Sequence, residues 1–141
     1  MDMCSVIYED WQMQCCGTPF KAGETVEWLA TKWTPAYTAL ESLLMKFSIE
    51  KISYCYEAHS SEHDELFVIS GIVSKIIAIR SAIEPDPNDS KINIKVPKIA
   101  LPVNHADGSD EDIDGFKLDS YVITLENVAI RSADPTDVSF K

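Results

Sequence analysis

The stretch Leu66-Phe67-Val68-Ile69-Ser70-Gly71-Ile72-Val73-Ser74-Lys75-Ile76-Ile77-Ala78-Ile79-Arg80-Ser81-Ala82-Ile83 decides the fold. It is longer than an average strand. Its apolar part, Ile69 to Ile83, is also too short and too polar to span a bilayer, because Ser70, Gly71, Ser74, Lys75 and Arg80 interrupt it. Gly71 then has a meaning. A glycine inside a strand marks a bulge or a sharp bend, which lets one long ribbon serve two sides of a barrel.

Working outward, shorter strand patterns flank this ribbon. Met3 to Tyr8 holds Val6, Ile7 and Tyr8, and Thr25 to Trp33 puts Val26 and Trp28 on one face. Ile49 to Tyr56 alternates Ile52, Tyr54 and Tyr56. Pro85, Pro87, Asn88 and Asp89 form a turn, after which Lys91 to Val96 alternates Ile92, Ile94 and Val96. Pro97 and Pro102 bracket a poorly paired edge. Phe116 to Leu125 reads as the last strand, with an extension at Val128-Ala129-Ile130. One helix stands out. Thr34 caps it, Pro35 suits its first position, and Tyr37, Leu40, Leu44 and Phe47 recur at helical spacing.

These elements predict a mainly β (α+β) fold. It is a small antiparallel, bent-sheet or barrel-like domain of five to six strands with one helix. Helices do not alternate with strands, which excludes a parallel α/β arrangement. At 141 residues the chain reads as a single globular domain over 1–141, with 132–141 as a loosely packed tail.

Charge narrows the function classes. Twelve Lys and Arg face 23 Asp and Glu, for a net charge of −11. Such a field repels nucleic acid and anionic membranes and attracts basic surfaces. Neither a Walker-type nor a dinucleotide-binding glycine motif is present. Asp2, Glu9 and Asp10 stand where a signal peptide would carry positive charge, so a cytoplasmic location is expected. Cys4, Cys15, Cys16 and Cys55 then read as reduced thiols.

Two constellations can carry chemistry. Cys15, Cys16, His59 and His63 supply thiols and imidazoles of the type that hold zinc, and His59 and His63 have the H-x3-H spacing. The signal is weak, because no C-x2-C pair accompanies them. The same residues offer a thiol and a base, but no local motif of a cysteine enzyme supports catalysis. The second constellation is the acidic loop from Asp107 to Asp114. Asp110, Asp112, Asp114 and Gly115 fit the opening of a calcium loop, D-x-D-x-D-G. The rest of that pattern fails, since Tyr121 stands where the bidentate Glu belongs.

The opening block Trp11-Gln12, Cys15-Cys16-Gly17, Pro19-Phe20, Gly23, Val26 and Trp28 reads as a tight loop over Trp11 to Gly23 leading into a strand. Trp11, Phe20 and Trp28 are its expected anchors. The block resembles the opening of an uncharacterised bacterial family of small proteins, known only as a domain of unknown function. The resemblance implies no activity.

The expected function is a non-enzymatic acidic binding protein that docks on a basic partner, an immunity-type inhibitor of a basic toxin being its most concrete form. Asp107, Asp110, Glu111, Asp112 and Asp114 would meet that partner. The alternative is a metal- or small-ligand-binding barrel using Cys15, Cys16, His59 and His63.

Overall fold

The computed structural model of the chain describes residues 3–15, 17–33, 38–49, 51–57 and 65–137. In chain order the elements are β1 (Met3–Glu9), α1 (Asp10–Cys15), β2 (Phe20–Lys21), β3 (Thr25–Lys32), α2 (Thr38–Met45), β4 (Tyr54–Tyr56), β5 (Phe67–Asp86), β6 (Asp89–Val103), β7 (His105–Ala106) and β8 (Lys117–Ser132). The protein is mostly β.

The long ribbon closes the sheet on itself. Along one edge β5 pairs with β8 from Phe67 to Ser81. Along its other edge it pairs first with β3, over Phe67 to Ile72, and then with β6 from Ile76 onward. The ring runs β3-β4-β1-β8-β5 and returns to β3, with β6 extending the sheet beyond β5. Gly71 lies where the β5–β8 register shifts, between Ser70 and Ile72. A Cβ on Gly71 would come within 2.9 Å of the Glu126 carbonyl oxygen and 3.1 Å of the Leu125 side chain. Only glycine allows the bend and the close approach together.

Both faces of the central strands are covered, which explains apolar runs such as Ile76 to Ile79 and Tyr121 to Ile123. Inside the ring, Val6, Tyr8, Ile76, Ala78, Tyr121 and Ile123 pack with an aromatic group. There Tyr8 stacks on Tyr56 at 3.9 Å between centroids, while Trp28 meets Tyr8 edge-on at 5.5 Å and Phe20 lies 5.0 Å from Trp28. On the outer face, Ile7, Ile77, Ile79 and Val122 pack under Leu40 and Leu44 of α2. The two sets alternate along each strand, as the pleat requires.

Some expectations need correction. The opening segment is not irregular from Trp11 to Gly23, because α1 occupies its first part. Gln12 is fully buried and donates Nε2 to the Tyr56 carbonyl at 2.9 Å, and Met13 is buried beside it. Six residues are too few for an apolar stripe to show in sequence. Phe20 and Trp28 are core residues, but Trp11 remains 49% exposed and does not anchor the block from within. From Ile49 to Tyr56 only Tyr54–Tyr56 forms strand. Pairing is antiparallel except between β1 and β4, which run parallel. β6 pairs with β5 through both Pro97 and Pro102, at the edge where proline is tolerated. The helix start read at Thr34-Pro35, and its Tyr37, lie outside the described residues.

In the last described segment, Ala133 is buried and Arg131 pairs with Asp137 at 2.7 Å. Among the described residues, no helix is long and apolar enough to cross a membrane.

Candidate functional site

The acidic loop begins after β7 and ends at a hairpin turn. Asp114 and Gly115 both have positive φ, 53° and 82°, and lie between Ile113 and Phe116, which close the turn by exchanging backbone hydrogen bonds of 3.1 and 2.9 Å. Asp-Gly with both residues at positive φ is the preferred two-residue hairpin connection. The Gly that resembles a calcium-loop glycine therefore serves a turn.

The loop backbone is pinned at several points. Tyr121 is fully buried, yet its hydroxyl donates to the Asp110 carboxylate and accepts from the Gly108 amide at 3.1 Å. Burial, reinforced by the Asp110 carboxylate, pushes the Tyr121 phenol well above its ordinary range, so it stays protonated and able to donate. Gln14 of α1 donates to the Gly108 carbonyl at 3.0 Å. Arg80, 5% exposed, donates Nε to the Glu111 carbonyl at 2.9 Å, and its buried Nη1 has no hydrogen-bond partner among the described residues. Asp107 accepts from both the backbone and the hydroxyl of Ser109, which holds its carboxyl below the usual range.

The five acids thus divide. Asp107 and Asp110 shape the loop. Glu111, Asp112 and Asp114 leave their side chains exposed, and among the described residues no Lys or Arg pairs with them. Anchored backbone with unpaired exposed carboxylates is an arrangement that presents negative charge without first having to order itself.

The second feature was not legible in the sequence. Beside the loop, a cleft of about 120 Å³ opens between α2, β1, β6 and the start of β8. Ile7, Leu40, Ile79 and Pro97 give it apolar walls, and Trp33 an aromatic one. Its charged lining is Glu9, Lys95 and Asp119. Asp119 is the extra residue of a bulge, since Ile79 faces Ser120 while Arg80 faces Leu118. Bulges re-aim side chains, and here Asp119 is held by Lys95 at 3.0 Å and by the Ser81 hydroxyl at 3.2 Å. Among the described residues, Glu9 receives a weak thiol contact, from Cys55 Sγ at 3.8 Å. Asp10 lies in the same field as Lys95, Asp119 and Asp110, and burial raises its carboxyl above the ordinary value despite help from Gln14. Asp10, which follows the C-terminal end of β1, thus feels both Asp110 of the loop and Asp119 of the cleft.

The thiol and imidazole set does not gain a geometry. Cys16, His59 and His63, and the side chain of Cys15, lie outside the described residues. Among the described residues, no three His, Cys, Asp or Glu side chains converge to hold a metal ion. Cys55 is buried against Glu9 and Glu57, and burial first, then those carboxylates, push its thiol up to about 12.

The chain belongs to a family of unknown function, DUF6578, whose model matches residues 2–127. No curated protein and no solved structure matches it.

Proposed function

We propose that this member of the family is a non-enzymatic acidic binding protein, which docks on a basic protein partner through the loop over 107–114. One observation carries the reading. The loop backbone is fixed by Tyr121, Arg80 and Gln14, while Glu111, Asp112 and Asp114 stay exposed without a described cation. A chain of net charge −11 adds a long-range pull on a basic surface. Such a field raises the association rate and suppresses acidic competitors. A small basic toxin is the most concrete partner, and the protein would then be its immunity-type inhibitor.

Affinity capture from the native cell extract tests this. Tagged wild-type protein should retain a basic protein at low salt and release it at high salt. The triple variant Glu111→Gln, Asp112→Asn, Asp114→Asn should retain much less of it. Equal retention of the same protein by both forms would overturn the proposal.

A further inference from the structure

We infer that the cleft beside the loop is a receiving slot for one aliphatic cation, the side chain of an Arg or Lys that the basic partner presents. The source of that side chain rests on the docking reading above. The chemistry of the slot does not.

Size comes first. A volume of about 120 Å³ falls short of an ordinary small-molecule site. It suits one side chain rather than a cofactor or a nucleotide. The lining then selects the type. Ile7, Leu40, Ile79 and Pro97 would cover an aliphatic stem, which long cationic side chains readily bury. Trp33 offers the best aromatic partner for a cation.

Charge decides the head group. Lys95 is already neutralised by Asp119 at 3.0 Å. Glu9 shares the cleft with Lys95, but among the described residues no Lys or Arg forms an ion pair with it, and the Cys55 thiol is its hydrogen-bond partner. Asp10 and Asp110 add to the same negative field. An anionic side chain would meet repulsion there, and a neutral one would leave Glu9 without a counter-charge. Guanidinium or ammonium answers Glu9 directly. Arginine in a largely desolvated pocket is a common energetic centre of protein interfaces, ringed by weaker charged contacts. The loop acids would form that ring.

Backbone-amide NMR titration with butylguanidinium, and with neutral butylurea as its isostere, tests the slot without the partner. Butylguanidinium should give saturable shifts centred on Ile7, Leu40 and Ile79, with a Kd of about a millimolar. Butylurea should give none. Glu9→Gln should weaken the cation about tenfold with the rest of the spectrum unchanged. Asp119→Asn provides a second reading if Glu9→Gln perturbs the fold. The triple loop variant should still give saturable shifts at the same positions, because none of its three side chains lines the cleft. Absence of saturable shifts at those positions, or equal binding of butylurea, would overturn the inference. Slot binding combined with partner capture that ignores the loop would overturn the docking reading alone.

Discussion

Single residues carry more of this account than any element does. Gly17 is one. Its amide returns to the Gln12 carbonyl at 2.8 Å and closes α1, and a Cβ there would overlap the Tyr8 hydroxyl and sit 2.9 Å from the Met13 Cα. Tyr8 cannot yield, being buried and stacked on Tyr56. Gly17→Ala should lower unfolding free energy by about 1–3 kcal/mol in urea denaturation, the usual cost of overpacking a core. A change below about 0.5 kcal/mol would contradict the packing argument. Cys55 is another. Its thiol, pushed up to about 12, holds its proton throughout the neutral range. Only the thiolate attacks, so native protein at about pH 7 should leave Cys55 unlabelled by iodoacetamide, and unfolding should expose it. Rapid labelling of folded protein, read by peptide mass spectrometry, would contradict that environment.

At the scale of elements, legibility followed periodicity. The bend at Gly71 could be read because a strand of that length needs an interruption, and the structure places a register shift there. β1, β3 and β8 could be read from runs and alternation. The short helix α1 could not, because six residues include too few positions to show a period. The parallel pairing of β1 with β4 was equally hidden, since two strands reveal nothing of their relative direction. The outer face of the ring depends on α2. Leu44 is 1% exposed between Ile77, Ile79 and Val122 on the sheet. Leu44→Ala should cost about 2–5 kcal/mol, and urea melts would show it as a lower midpoint at unchanged slope. A near-wild-type midpoint would mean that α2 is not a true layer of the core.

At the scale of the whole molecule, the acidic loop was legible as composition and its support was not. Nothing near Tyr121 in sequence announces that its hydroxyl reaches Asp110, or that Arg80 meets Glu111 from another strand. The cleft was hidden for the same reason. Glu9, Trp33, Lys95 and Asp119 come from separate parts of the chain and meet only when the ring closes. In the opening block, Gln12, Gly17, Phe20 and Trp28 serve packing.

The central claim is that the acidic loop meets a basic surface. Its most direct test is the association rate constant with the captured partner, measured against ionic strength for wild type and for the triple loop variant. The wild-type rate should fall steeply as salt rises, and the variant should associate more slowly with a flatter slope. Equal rates and equal salt slopes for the two proteins would contradict it.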